Sequence, residues 1–142
     1  MAIDNIRAGP IRNKDIPFLA RSCLEEYDEL VERVNVSKIA REMGIKIIRD
    51  SDIHVLSPDE WGKFYYYPEK DARFIVYDDS ERRSLEEKRF TIAHEIGHCY
   101  LNHYAEHVRF MAYIEELKHK HGLRTERQAD LFAKHLLKGE GL

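Results

Sequence analysis

Hydrophobic positions divide the chain into two helical regions with a short run of strands between them. In the outer regions, apolar residues recur every three or four positions, the spacing of one face of an α-helix. Ser84 with Glu87, and Thr125 with Gln128, match the capping box that begins a helix, and Gly122 marks a helix end. Four of the predicted helices cover residues 17–35, 36–43, 106–120 and 125–137. A further one begins after Ser84 and includes residues 94–98.

The central region contains β-branched and aromatic runs, which favour strands. Residues 45–49 form the first predicted strand, and residues 50–62 are a loop because they contain Asp, Ser, Pro and Gly. Residues 63–67 and 73–77 flank Pro-Glu-Lys-Asp and predict a hairpin. The expected fold is α+β, with a small antiparallel sheet of about three strands packed on helices.

Composition and charge narrow the class of protein. With 142 residues, we expect one domain over residues 1–142, in which residues 1–16 are an irregular arm. The net charge of −3 disfavours direct binding to nucleic acid, which usually requires a basic excess. No run approaches the roughly 20 apolar residues that span a bilayer, and the N-terminus lacks a signal-peptide pattern. Cys23 and Cys99 form no Cys-x-x-Cys pair and fit a reducing compartment, so we expect a cytoplasmic protein.

The sequence His-Glu-Ile-Gly-His at residues 94–98 indicates both a metal and a reaction. Because one helical turn takes 3.6 residues, His94 and His98 project from the same face and can share one zinc ion. Glu95 can reach water bound to that ion, which makes it the candidate general base. The surrounding residues are apolar and predict a buried helix, where imidazoles and a carboxylate are costly unless a metal or a partner holds them.

Two histidines leave a catalytic zinc site one protein ligand short. The best candidate lies in the last predicted helix, where Glu126 and Asp130 border an apolar stripe. We predict that Glu126 binds the metal, and that Asp130 accepts the spare N–H of a ligand histidine and fixes its tautomer. Alternatively, the two acids only solvate a helix start, where negative charge is favoured.

These segments together resemble the ImmA/IrrE family of small metallopeptidases. The resemblance is carried by His-Glu-Ile-Gly-His and its lead-in Arg-Phe-Thr-Ile-Ala, by Glu-x-x-Ala-Asp-x-Phe-Ala at 126–133, and by Ala-x-x-x-Gly-Ile-x-Ile at 40–47; it covers roughly residues 36–137. The spacing of Glu126 and Asp130 is also similar to that of thermolysin-like gluzincins, in which the Glu is the third ligand. The resemblance implies a zincin-like fold. The family often ends Leu-Leu-Met-Pro, whereas this chain continues Leu-Leu-Lys-Gly-Glu.

The resemblance also implies an activity: a zinc-dependent endopeptidase that cleaves a protein partner. The partner is commonly a helix-turn-helix repressor encoded nearby on a phage or mobile element. Zincin substrates lie along an edge strand near the active helix, and the residues assigned to this role are Arg73, Phe74, Ile75, Val76 and Tyr77. The donor that stabilises the oxyanion stays open among Tyr65, Tyr66, Tyr67, His103, Tyr104 and Arg127. We expect no contact with membranes, and the oligomeric state stays open.

Several alternatives compete with this interpretation. The chain could be a non-catalytic zinc-fold protein that regulates a transcription factor by binding it. His103-Tyr-Ala-Glu-His107 is an inverted zinc motif, but its surroundings are polar. Residues 36–47 resemble the first part of a helix-turn-helix, yet the β-branched run from Ile45 disfavours a second helix. The aromatic residues Trp61, Phe64, Tyr65, Tyr66 and Tyr67 could form a binding platform, but core and hairpin packing is the favoured interpretation.

Overall fold

Five helices and three strands make up the part of the chain that the computed structural model describes, residues 11–27, 29, 33–101 and 114–138. Within these ranges, no helix combines the length and the apolar character that crossing a membrane requires. The helices are α1 (Ile16–Glu26), α2 (Val36–Glu42), α3 (Asp50–Ile53), α4 (Leu85–Tyr100) and α5 (Ile114–Lys138), and the strands are β1 (Ile45–Arg49), β2 (Gly62–Tyr67) and β3 (Ala72–Tyr77).

The three strands form one mixed sheet in the order β1-β3-β2. β3 pairs antiparallel with β2, as expected for a hairpin, and parallel with β1. The predicted α+β architecture with three strands is confirmed, but the sheet is not antiparallel throughout. Successive strands do run in opposite directions along the chain. The parallel pair arises because β3 inserts between β1 and β2.

The central position of β3 overturns one site prediction. Arg73, Phe74, Ile75, Val76 and Tyr77 were expected to form an edge strand for the substrate, but each has a partner on both neighbouring strands. An extended peptide cannot add to a strand that is already paired on both sides. The physical reason is burial: Ile75 and Val76 are 0% and 1% exposed, so this apolar strand fills the middle of the sheet.

The helix that carries residues 94–98 begins at the predicted capping box. The Ser84 hydroxyl accepts a hydrogen bond from the backbone N–H of Glu87 at 3.1 Å, and the Glu87 carboxylate accepts one from the N–H of Ser84 at 2.8 Å. These bonds satisfy two of the N–H groups that a helix start leaves unpaired. The prediction that this helix starts after Ser84 is confirmed.

The last helix, α5, is continuous where the sequence predicts two helices. The predicted end at Gly122 and the capping box at Thr125 and Gln128 are wrong, because the helix runs through all three positions. A glycine inside a helix costs only about 1 kcal/mol, and α5 packs along both α4 and α1. The Gln128 amide instead donates to the backbone oxygen of Ile11 at 2.8 Å. Residues 106–113 of the other predicted helix lie outside the described residues.

The N-terminal helix is shorter than predicted. It ends at Glu26, and the carboxylate of the buried Glu29 then accepts a hydrogen bond from the backbone N–H of Asn35 at 2.7 Å. Asn35 is the residue directly before α2, so this hydrogen bond lies at the start of that helix. Residues 1–10 of the predicted arm lie outside the described residues, and Asn13–Asp15 form a single 3-10 turn before α1.

The site helix α4 packs against both the sheet and α5. On the sheet side, a Cβ added to Gly62 would lie only 2.5 Å from Cγ2 of Thr91. Any side chain there would clash, so glycine at the start of β2 lets the sheet lie directly against α4. Buried side chains from α1, α2, α4, α5 and the sheet form one hydrophobic core.

Candidate metal centre

Helices α4 and α5 approach each other closely at Gly97. A Cβ added there would lie 3.1 Å from Cδ1 of Phe132 and 3.3 Å from both Cα and O of Ala129. These separations are shorter than the optimal contact of about 3.5–4.0 Å between carbon atoms. Glu126 precedes Ala129 by three residues, nearly one helical turn. The missing side chain of Gly97 therefore lets the Glu126 carboxylate reach α4.

His94, His98 and Glu126 meet across this interface. His94 Nε2 lies 2.8 Å from Glu126 Oε1, and His98 Nε2 lies 3.2 Å from Glu126 Oε2. The two Nε2 atoms are 3.1 Å apart, and the rings are nearly perpendicular at 82°. His98 is 1% exposed. The structure thus brings together the three residues that the sequence indicates as metal ligands.

The spacing of these three groups fits a zinc ion. Tetrahedral zinc with ligands at about 2.0–2.1 Å places neighbouring ligand atoms about 3.3 Å apart. The separations here are slightly shorter, and one ligand atom from each residue lies within 4.8 Å of the others. A carboxylate oxygen and two ring nitrogens this close repel one another unless a proton or a cation lies between them. Two imidazoles and one carboxylate are also a donor set of catalytic zinc, with the fourth position left open.

Asp130 orients one of the histidines. Its Oδ1 lies 2.7 Å from Nδ1 of His94 and accepts the Nδ1–H, which leaves Nε2 to face Glu126 and His98. Burial by itself lowers the pKa of His94, but the hydrogen bonds with Asp130 and Glu126 outweigh it and raise the pKa to about 9. The surroundings of Nε2 therefore favour positive charge, whether a proton or a metal cation supplies it.

Glu95 lies beside the histidines but outside the ligand cluster. It is 3% exposed, and its Oε1 has no hydrogen-bond partner among the residues that the structure describes. A buried carboxylate oxygen without a partner is costly. Because Glu95 also lines the cleft, its carboxylate can accept a proton or a hydrogen bond from a molecule that enters. A general base needs this position.

A cleft of about 240 Å³ opens at the cluster. It is lined by His94, Glu95, Glu126 and Asp130, together with Trp61, Gly62, Phe90 and Thr91. The sequence pattern does not single out Gly62, Phe90 or Thr91 as part of a site, and for Trp61 it favours packing over a binding platform, whereas the structure places this residue at the cleft, 39% exposed. Phe90 could have been found, because it precedes His94 by four positions and so shares its face of α4. Gly62 begins β2 and Trp61 directly precedes it, and no local pattern places either residue beside this helix.

Other predicted site residues lie elsewhere. None of the five residues assigned to the substrate strand lines the cleft, and neither do Tyr65, Tyr66, Tyr67 and Arg127, which were candidates for the oxyanion donor. His103, Tyr104 and the inverted motif that they begin lie outside the described residues. The segment resembling a helix-turn-helix has no second helix, because strand β1 follows α2 after two residues.

The sequence of the chain matches one known family. A family model described as the IrrE N-terminal-like domain, and classed as a peptidase, matches residues 40–137. This segment contains α4, all but the last residue of α5 and the five residues of the candidate metal centre. Comparisons with curated proteins and with solved structures gave no match.

Proposed function

Because the chain belongs to the family of IrrE N-terminal-like domains, a family of metallopeptidases, we propose that it is a zinc-dependent endopeptidase that cleaves a protein partner. The observation that carries this proposal is the cluster of His94, His98 and Glu126 with the unpartnered oxygen of Glu95 beside it. The cluster supplies three ligands, and the carboxylate supplies a base that does not bind the metal. Together they are the parts that peptide hydrolysis needs.

Each side chain of the centre has a distinct task. When bound, zinc lowers the pKa of water towards about 7 and polarises the substrate carbonyl. Glu95 takes a proton from the attacking water at Oε1 and passes it to the nitrogen of the departing amine. Asp130 holds the Nδ1–H of His94, so that Nε2 keeps its lone pair for the metal. Burial of His98 and Glu95 excludes bulk water, which strengthens these electrostatic interactions.

The proposed partner is a helix-turn-helix transcriptional repressor. This part of the proposal is supported by the resemblance to the ImmA/IrrE family and by no residue of the cleft. Cleavage of such a repressor would release the genes that it holds silent.

The test replaces the general base. Glu95→Gln removes the proton acceptor but changes the side-chain volume little, so we expect zinc content and folding to stay as in the wild type. Cleavage of the repressor encoded nearest to the gene should fall at least 100-fold. Glu86→Gln is the matched control, because Glu86 is an exposed glutamate of the same helix and lies outside the cleft. Metal analysis, circular dichroism and gel-based cleavage are the three measurements.

Two outcomes would reject the proposal. If the purified protein takes up no zinc, or loses none when His94 and Glu126 are replaced by alanine, the cluster is not a metal centre. If Glu95→Gln retains the biological effect on the repressor, the chain acts by binding and not by hydrolysis.

A further inference from the structure

Trp61 presents an apolar surface at the metal centre. The residue lines the cleft together with His94 and Glu95, and it is 39% exposed. Tryptophan has a large apolar ring that gains much from burial, and such rings dominate binding energy at recognition surfaces. Phe90 and Thr91 of α4 line the same cleft. The polar part of the lining, by contrast, already belongs to the metal centre.

The ring of Trp61 is held in place by charged groups behind it. The guanidinium carbon of Arg83 lies 4.4 Å from the centre of the indole, and Arg83 Nε pairs with Oδ2 of the buried Asp78 at 3.1 Å. The backbone N–H of Asp78 also donates to the carbonyl oxygen of Trp61 at 2.8 Å. Both the ring and the backbone of Trp61 are therefore fixed before any ligand arrives, which lowers the entropy cost of binding.

Charge limits what can bind against this ring. Arg83 already stacks on the indole, so a lysine or arginine side chain of a ligand would find this cation–π position taken. An acidic side chain would be repelled by Glu95, Glu126 and Asp130, which also line the cleft. A large uncharged apolar side chain meets neither obstacle and gains from the burial of Trp61 and Phe90.

We propose that Trp61 and Phe90 form a subsite for a large apolar side chain next to the scissile bond, so that the protein cleaves beside leucine-like or phenylalanine-like residues. Trp61 determines this specificity, and Arg83 and Asp78 are positioning residues that act through it. The inference rests on the proposed peptidase function, because the metal centre is what fixes the peptide beside Trp61.

The test measures binding without turnover. The probes are the hydroxamates of N-acetyl alanine, leucine, phenylalanine and lysine, whose common head group binds zinc and whose side chains differ. Binding to zinc-loaded protein is followed by calorimetry and by the fluorescence of Trp61, the single tryptophan of the chain. We expect the leucine and phenylalanine probes to bind at least about tenfold more tightly than the alanine probe. The lysine probe should gain nothing over alanine.

Substitutions then assign the preference to the ring. By calorimetry, Trp61→Ala should reduce it to less than about threefold while the alanine probe binds as before, and Trp61→Phe should restore most of it. Trp61→Gln should lose the preference as Trp61→Ala does. Because glutamine leaves a side chain against Arg83, this variant replaces Trp61→Ala if the alanine variant does not fold. Arg83→Ala should weaken the preference, and Arg83→Lys, which keeps a cation at the ring, should weaken it less. Phe18→Ala removes an exposed aromatic residue that does not line the cleft and should change nothing.

The outcomes separate the two proposals. If the alanine probe binds but Trp61→Ala and Trp61→Gln keep the wild-type preference, the subsite is refuted and the metal centre stands. If no hydroxamate binds the zinc-loaded wild type, the bound metal offers no open position to a substrate, and the proposed peptidase function is refuted together with the subsite.

Discussion

Adding one methyl group at Gly97 should weaken zinc binding without unfolding the protein. The Cβ of Gly97→Ala would lie 3.1–3.3 Å from Phe132 and Ala129, and two of the three nearest atoms belong to the backbone of Ala129. A backbone cannot rotate away as a side chain can, so α5 must shift by a few tenths of an ångström. Overpacking of this kind costs about 1–3 kcal/mol, and the better helix propensity of alanine returns about 0.5–1 kcal/mol. We expect the free energy of unfolding of the metal-free protein to fall by about 1 kcal/mol.

The larger effect should be on the metal, because Glu126 moves with α5. A ligand set tolerates errors of only about 0.2 Å, so zinc affinity should fall at least about tenfold, as it does when supporting residues of metal sites are changed. The assays are urea unfolding of the metal-free protein and competition for zinc against a chelating dye.

Gly44→Ala is the matched control for this experiment. Gly44 has a φ of +81°, so alanine is strained there by about 1 kcal/mol, yet its Cβ would meet nothing within 4 Å. The two variants should lose similar stability, and only Gly97→Ala should lose zinc affinity. Equal zinc affinities in both variants would refute the claim that Gly97 sets the distance between Glu126 and α4.

Two further predictions concern carboxylates that accept hydrogen bonds. Asp130→Ala removes the acceptor of the His94 Nδ1–H and should weaken zinc binding about 10–100-fold in the same competition assay. Arg127→Ala, which changes an exposed residue of the same helix, should leave zinc affinity unchanged. Equal zinc affinities in the two variants would contradict the role of Asp130. Burial raises the pKa of Asp78, but hydrogen bonds from Ser80 and two arginines outweigh it and lower the pKa to about 2. The stability that this carboxylate contributes is therefore present above its ordinary pKa near 4 and is lost as the pH falls towards 2. In urea unfolding, Asp78→Asn should be less stable than the wild type at pH 6 and lose that difference between pH 4 and pH 2, and a constant difference would contradict the ion pairing.

Local patterns predict the elements of this fold better than their arrangement. The capping box at Ser84 and the apolar lead-in to His94 depend on neighbouring residues, so the start of α4 could be predicted. The order of the strands depends on which strand is buried most, and β3 takes the centre through contacts with residues far away in the sequence. Gly122 and Thr125 are local signals for a helix end, but the packing of α5 against α4 and α1 overrides them.

Some residues of the candidate site could likewise be predicted from local patterns, and others could not. His94 and His98 are recognisable because four-residue spacing places both rings on one face of a helix. Glu126 and Asp130 were predicted because the two acids border an apolar stripe, where charged groups need partners, and the family resemblance then favoured this interpretation over a solvated helix start. For Trp61 the aromatic pattern could not decide between binding and packing, since its place beside α4 depends on the close approach of Gly62 to Thr91 and on the pairing of β2 with β3.

The separation of the metal ligands along the chain has a consequence for biosynthesis. Two ligands are on α4, but the third is on α5, 28 positions after His98. A nascent chain that has released α4 from the ribosome holds only two ligands and cannot yet retain the ion tightly. The proposed peptidase would therefore stay inactive during synthesis until α5 has emerged and docked against α4.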